Sequence, residues 1–318
     1  MKQNNGKMKQ NNKIDLFLDS GAFSAWTQKT TIDIEEYIAF IKKYEKDLTI
    51  YANLDVIGLG GKQPNKLTAD KTLENQRIME DAGLSPVPCF HYGEPFSYLE
   101  YYVENYPYIA LGVAGNIGTK LMKWMDKCFG EFICDKEGYP KTKVHGFAVT
   151  SISLMTRYPW YSVDSTSWVV TGRLGSIYIP RRSNGKWVYD DNSWKIAVSN
   201  KSPSMKDKDA HITTLPEEKR QLCLQYIEEK GYKLGKSRFR MVRQDRPLKD
   251  NERWAEKKPK GKDAWRKLEV IQEAGVSNTY QLRDEMNILY FLDLEKSMPK
   301  WPWKFTAYKQ NGLRQLKF

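Results

Sequence analysis

The chain has 318 residues, 40% of them hydrophobic and 28% charged, with a formal net charge of +12. That hydrophobic content excludes a wholly disordered chain, and the length suits one large α/β domain with an appendage or two ordinary domains. No apolar run reaches the roughly eighteen residues needed to cross a bilayer, so no membrane partner is expected.

The opening segment, Met1–Asp15, is basic and polar without the apolar stretch of a secretory leader, and a cytoplasmic location is expected. From there to about residue 200 one pattern repeats: a short β-rich run ending in small or polar residues, then usually a helical stretch. The runs are Ile14–Leu18, Leu48–Leu54, Pro86–Phe90, Tyr108–Val113, Val144–Val149 and Trp160–Val163. They are apolar on both faces, as strands of a buried parallel sheet are. Helices are predicted over Ile32–Lys46, with Thr30 or Thr31 as N-cap, and over Lys66–Ala82, ended by Gly83. Pro95–Asn105 and Ile117–Phe132 complete the set. Strand–helix units with polar residues at the strand ends, and no GxGxxG or GxxxxGK[ST] loop after the first strand, favour a TIM-like (β/α)8 barrel over a doubly wound sheet. Ser176–Pro180 and Lys195–Ser199 are the candidates for the closing strands, although Asn184-Gly185 also reads as a hairpin turn.

After residue 200 the pattern changes. A helix is predicted over Leu215–Lys230, with Pro216 in its first turn and Gly231 beyond its end. Gly235–Lys262 is strongly basic, Ala264–Ala274 and Gln281–Lys296 read as helical, and Lys300–Phe318 has five Lys/Arg, five aromatics and no acid. Residues 1–200 hold 24 Lys+Arg against 22 Asp+Glu, whereas 201–318 hold 27 against 17. The expected division is therefore a nearly neutral barrel, 1–200, and a basic, mainly helical module, 201–318, that attracts polyanions. Lys257, Lys258, Lys260 and Lys262, with Arg181 and Arg182 on the predicted loop, are the phosphate-contact candidates. Interleaved rings such as Phe239, Trp254 and Trp265 can stack on bases or fill the module's own core. The spacing Arg283, Asn287, Tyr290, Phe291 reads as a structural helix face.

The strand ends carry the chemistry: Asp19-Ser20-Gly21, Asn53 and Asp55, His91-Tyr92, Gly112 to Asn116, Thr150-Ser151 and Asp164-Ser165-Thr166. On a barrel they converge on one mouth. A single Asp there is as readily a helix cap, but three at separate strand ends point to acid–base work. Asp19 and Asp164 in one pocket would have their affinities for protons driven apart, leaving one donor and one anion. That pair suits displacement at an anomeric carbon.

Asp19-Ser20-Gly21-Ala22-Phe23 resembles the D-S-G-G-[FY] motif of the queuine tRNA-ribosyltransferases, the tRNA-guanine transglycosylases. Asn53-Leu54-Asp55 is similar to their second acidic strand end, and Cys89-Phe90-His91-Tyr92-Gly93 to their V-Q-G-G strand, with His91 in the glutamine's place. Ala110–Gly115 resembles G-L-A-V-G, and Val144–Val149 the strand before the nucleophile. Ser162–Thr166 resembles the nucleophile segment, and Thr171-Gly172-Arg173 the T-R-x-G that follows. The order holds across residues 15–175, and the wording is most like the phage and genomic-island DpdA-type DNA-guanine transglycosylases. The resemblance implies a pentosyltransferase that exchanges guanine in DNA for a free 7-deazaguanine base such as preQ0 or preQ1. It implies Asp164 as nucleophile and Asp19 as general acid/base. Base contacts are implied from Ser20, Asp55, His91 at O6, backbone groups of Leu111 and Gly112, and the rings of Phe23 and Phe147, with Arg173 on the nucleic acid. The C-x-C-x-x-C…H zinc spacing of the tRNA enzymes is absent, so neither metal nor other cofactor is expected, and Cys128, Cys134, His211 and Cys223 are only a weak ligand set. The motif also starts close to residue 1, so the barrel would be permuted or trimmed. Both departures favour DNA over tRNA. The alternatives are a tRNA enzyme lacking zinc, an inactive nucleic-acid-binding barrel, and a nucleoside hydrolase or deoxyribosyltransferase, which would not need the basic tail.

Overall fold

The computed structural model describes residues 15–58, 64–112, 119–149, 151–190, 192–261 and 264–306. Six short strands come first: β1 (Phe17–Leu18), β2 (Ile50–Tyr51), β3 (Cys89–His91), β4 (Tyr108–Gly112), β5 (Lys143–Gly146) and β6 (Ser162–Val163). β1 pairs with β2, and β3 to β6 pair in chain order, all of them parallel. A parallel bridge between Ala52 and Val87 joins the two ladders, where the Asn53 N–H donates to the Val87 carbonyl at 3.0 Å. Strands adjacent in sequence are therefore adjacent in space, as a strand–helix repeat dictates.

The crossovers are helical. α1 (Ala22–Gln28) and α2 (Ile34–Tyr44) follow β1, and α3 (Lys66–Asp81) follows β2. α4 (Phe96–Asn105) follows β3, and α5 (Thr119–Lys127) follows β4 and runs into a π-helical turn, Cys128–Ile133. Asp33, rather than Thr30 or Thr31, caps α2: its Oδ1 accepts from the Glu35 and Glu36 N–H groups at 2.9 and 3.0 Å. An anionic side chain beside the first turn is favoured by the helix dipole. At α3 the Asn65 Oδ1 accepts from Leu67 N–H, while the Thr68 hydroxyl accepts from Asn65 N–H. Tyr37, Ile38 and Ile41 of α2 pack with Leu54, Met79 and Leu84 into one core cluster.

The sheet curls enough for Phe17 of β1 to stack on His145 of β5, ring centroids 4.3 Å apart. Among the described residues no ladder joins β6 back to β1. The two expected closing strands pair with each other instead. α6 (Ile152–Arg157) precedes β6, α7 (Ser167–Arg173) follows it, and β7 (Ser176–Ile179) then runs antiparallel to β10 (Trp194–Ala197). Between them β8 (Arg181–Ser183) and β9 (Lys186–Val188) form a hairpin whose turn residues, Asn184 and Gly185, both have positive φ, 48° and 75°. A two-residue turn of that conformation matches strand twist, which is why this stretch folds locally.

Two compact units result. One takes the described parts of residues 1–149, 157–164 and 301–318, and the other those of 150–156 and 165–300. The expected boundary at residue 200 is thus displaced. Residues 165–200 join the second unit because Ile177, Ile179, Ile196 and Val198 bury against Tyr226 and Ile227 of α8 (Glu217–Glu229) and Met286 of α9 (Tyr280–Ser297). Asn287 of α9 accepts from Tyr178 N–H and donates to the Trp168 carbonyl, both at 2.9 Å, in keeping with a structural helix face. The end of the described chain belongs to the first unit: Trp301 Nε1 donates to the Pro159 carbonyl at 3.2 Å, and the Phe305 ring stacks on Tyr158 at 5.4 Å.

The appended module is mixed rather than mainly helical. β11 (Lys236–Arg243), β12 (Glu252–Trp254) and β13 (Trp265–Glu273) form an antiparallel sheet with β13 in the centre. The segment Ala264–Ala274, expected as a helix, is that central strand. Its helix-forming Leu, Glu and Lys are outweighed by ladders on both edges and by the burial of Leu268 and Glu269. No helix among the described residues is long and apolar enough to cross a membrane.

Candidate active site

Asp19, Asp55, His91, Gly112, Phe147 and Asp164 all lie at or just beyond the C-terminal ends of the six parallel strands, within the first unit. Asp55 is only 8% exposed. Its Oδ1 accepts from the Ser20 hydroxyl at 2.6 Å, and its Oδ2 lies 2.8 Å from His91 Nε2. On the other side of the same ring, Nδ1 lies 3.3 Å from Glu94 Oε1, and Glu94 Oε2 accepts from the His91 N–H at 2.8 Å. Two carboxylates facing both ring nitrogens require a proton on each. Burial alone would lower the imidazole, but its hydrogen bonds to Asp55 and Glu94 hold it well above its ordinary value. Burial pushes the Cys89 thiol up to about 12, so at neutral pH it is an uncharged neighbour 3.4 Å from Nε2. Gly112 completes the cluster by having no side chain: a Cβ there would stand 2.6 Å from His91 Cδ2 and 3.2 Å from Cys89 Sγ.

This arrangement corrects one expected contact. His91 has both ring nitrogens committed to carboxylates, so it positions Asp55 rather than reaching O6 of a base. The carbonyls of Leu111 and Gly112 are also engaged, accepting from Phe147 N–H at 3.0 Å and Tyr92 N–H at 3.2 Å. Ser20, expected at the base, donates its hydroxyl to Asp55.

Asp164 presents the opposite environment, with its side chain 55% exposed. Its Oδ1 accepts from the Ala148 N–H at 2.8 Å and lies 3.5 Å from His145 Nε2. Ala148 has φ of 55°, a left-handed conformation uncommon for a residue with a side chain. That turn directs its N–H at the carboxylate, and strained backbone of this kind gathers at functional sites. Behind it, His145 Nδ1 is 2.6 Å from the Ser162 hydroxyl, which is 2.5 Å from the Tyr108 hydroxyl. Sequence reading passed over His145 and Glu94. A usable signal existed for the first: two of the chain's three histidines, His91 and His145, occur in strand-ending runs.

Asp19 is the carboxyl of the set whose proton affinity is raised. Burial raises its carboxyl above the ordinary value of 3.8, and the charges of Asp55 and Asp164 raise it further, against the opposing Gly21 and Ser20 N–H groups. Stability falls as pH rises from 3.8 through the raised folded value, because the folded state binds the proton more tightly. Asp19→Asn should therefore raise the melting temperature at pH 7, with the gain shrinking as the pH falls toward 3.8. A variant melting at or below wild type at pH 7 would show that Asp19 carries no such penalty. Phe23, exposed on α1, tilts against Trp26 at 6.0 Å, while Phe147 meets His145 edge-on at 4.6 Å. The two rings expected to sandwich a base thus flank separate aromatic groups.

The expected phosphate contacts fare unevenly. Arg181 Nη2 pairs with Asp190 at 2.5 Å, and Arg182 lies 3.5 Å from Glu229 and over the Trp187 ring, so both are tied within the second unit. Arg173, Lys257, Lys258 and Lys260 are exposed, and Lys262 lies outside the described residues. Lys267 and Arg266 cover the rings of Phe239 and Trp254, whereas Trp265 is exposed.

The weak zinc set does not gather. His211 Nε2 donates to the Ser199 carbonyl, and its Nδ1 accepts from Thr213 N–H. Cys223 is buried in the apolar core of the second unit. The donor atoms of Asp55, Cys89 and His91 do lie within 4.8 Å of one another. Their mutual hydrogen bonds satisfy these atoms, and a metal would have to displace the proton His91 shares with Asp55.

Comparison with known proteins returns no match to a family model, a curated protein or a solved structure.

Proposed function

We propose that the first unit exchanges guanine in DNA for a free 7-deazaguanine base, holding the deoxyribose on Asp164 between two half-reactions. The observation that carries this reading is the gathering of three carboxylates in unlike environments: Asp19 with its proton affinity raised, Asp55 buried against His91, and Asp164 exposed. In the first half, an Asp164 oxygen bonds to C1′ as the C1′–N9 bond breaks. The electron pair leaves with guanine, and the Asp19 carboxyl supplies the proton. In the second, the Asp19 carboxylate takes the N9 proton of the incoming base, N9 attacks C1′, and the ester's electron pair returns to Asp164.

Asp55 is suited to the shared N1–H and 2-amino edge of guanine and 7-deazaguanines, since each of its oxygens keeps a lone pair beyond the bonds to Ser20 and His91. The target base must leave its stack to reach such a site. A TIM-like barrel, with the six parallel strands as its first six, is the architecture that accompanies this reading. The test is mass spectrometry of nucleosides from plasmid DNA and tRNA after co-expression with a 7-deazaguanine supply. Modified deoxynucleosides are expected. Modification confined to tRNA would overturn the substrate, and none in either would overturn the reaction.

A further inference from the structure

A cavity of roughly 370 Å³ in the second unit is lined by Arg173, Lys201, Arg253 and Arg283. Two of these cations are partly neutralised. The buried Glu269 accepts from Arg253 Nε at 2.8 Å and lies 3.3 Å from Lys201 Nζ. The other two make no ion pair among the described residues. Arg283 is only 5% exposed, yet its bonds run to neutral carbonyls, from Nε to Gly172 at 2.6 Å and from Nη1 to Val276 at 2.7 Å. Its Nη2 has no protein partner among the described residues. Arg173, the last residue of α7, has neither an ion pair nor a hydrogen bond among them. The charge of Asp284 reaches both, yet Asp284 bonds to neither and does not line the cavity.

A nearly buried guanidinium whose hydrogen bonds run only to carbonyls is costly unless an anion completes it. Burial and the neighbouring Arg253 charge accordingly press Arg283 toward the neutral form. The hydroxyls of Ser199 and Ser202 and the exposed Tyr280 ring add donors and a flat face at the same cavity. A carboxylate ligand would leave the fork of Arg173 unused, whereas a tetrahedral oxyanion engages several guanidinium groups at once. The volume exceeds that of one phosphate and accommodates a nucleotide unit.

We infer that this cavity binds the phosphate group of a nucleotide, with Arg283 as its buried anchor and Arg173 as its exposed clamp. The exposed Lys257, Lys258 and Lys260 follow Arg253 directly in sequence, which favours a phosphate carried by a nucleic-acid strand over a free mononucleotide. This site is independent of base exchange: either can fail while the other stands.

The test uses the full chain, a labelled single-stranded oligodeoxynucleotide read by anisotropy across a salt series, and deoxyguanosine 5′-monophosphate and inorganic phosphate read by thermal shift. Arg173→Glu, at an exposed helix end, and Lys201→Gln leave the Arg283 anchor in place. Strand affinity should fall at least about tenfold in Arg173→Glu, and the log-affinity against log-salt slope should drop by roughly 0.7 for each strand phosphate that the variant no longer neutralises. Lys201→Gln should act in the same direction. If the mononucleotide instead raises the melting temperature of wild type and not of the variants, with strand binding unaltered, the phosphate is that of a free nucleotide and the site stands. Wild-type strand binding and wild-type thermal shifts in both variants would overturn it.

Discussion

Replacing Asp164 with Ala should reduce base exchange by at least about a thousandfold, the scale on which a covalent nucleophile is lost. No other carboxylate is placed to substitute: both Asp55 oxygens are bonded, one to Ser20 and one to His91, and Asp19 has its proton affinity raised. Because the Asp164 side chain is 55% exposed, with Ala148 N–H its hydrogen-bond donor, the variant should fold normally. Incorporation of a 7-deazaguanine base into an oligonucleotide, followed with intact-mass detection of the trapped sugar ester, reads both consequences. An Asp164→Ala protein that retains more than a few percent of wild-type exchange, or still forms the ester, would remove Asp164 from the nucleophile's role.

The second large effect concerns stability. His91→Ala leaves Asp55 and Glu94 buried without the imidazolium between them, and breaking a buried ionic cluster in this way costs about 3–5 kcal/mol. The pH dependence has a definite sign. The folded His91 holds its proton above the ordinary value of 6.5, so its contribution is complete below pH 6.5 and is lost as pH rises through the folded value. The gap between wild type and variant should thus be widest below pH 6.5 and narrow as the pH rises into alkali. Urea melts of both proteins over this range would measure it. A gap that does not change with pH would mean that His91 acts through packing alone.

The parallel half of the fold was legible because strand ends and crossovers are local events. Apolar runs such as Tyr108–Val113 need burial on both faces, and Gly83, with φ of 83°, ends α3 by its own chemistry. The second unit was harder to read for a physical reason. Trp265–Glu273 has the composition of a helix, and only its two partner strands, β11 and β12, make it a strand. Ser176–Pro180 and Lys195–Ser199 look alike whether they close a barrel or pair with each other, since an apolar run does not specify its partner. At the site, the acids after β1, β2 and β6 could be named from their positions. The commitment of His91 to Glu94 as well as Asp55 could not, because it depends on where the ring points. Arg181 and Arg182 show the same limit: basic residues on a loop look available until their acidic neighbours, Asp190 and Glu229, are placed.

The chain leaves the first unit after Val149, returns for Arg157–Asp164, and comes back a last time at Trp301. Phe305 there packs on Phe129 and Tyr158, and its N–H donates to the Gly138 carbonyl at 2.9 Å. A ribosome making this protein therefore finishes the second unit before it can finish the first. Nascent chains arrested before residue 301 would carry Asp19, Asp55 and Asp164 on a framework still missing an aromatic wedge, with Phe129 and Tyr158 open to water. The three carboxylates would thus reach their final setting only after Trp301 and Phe305 have been made.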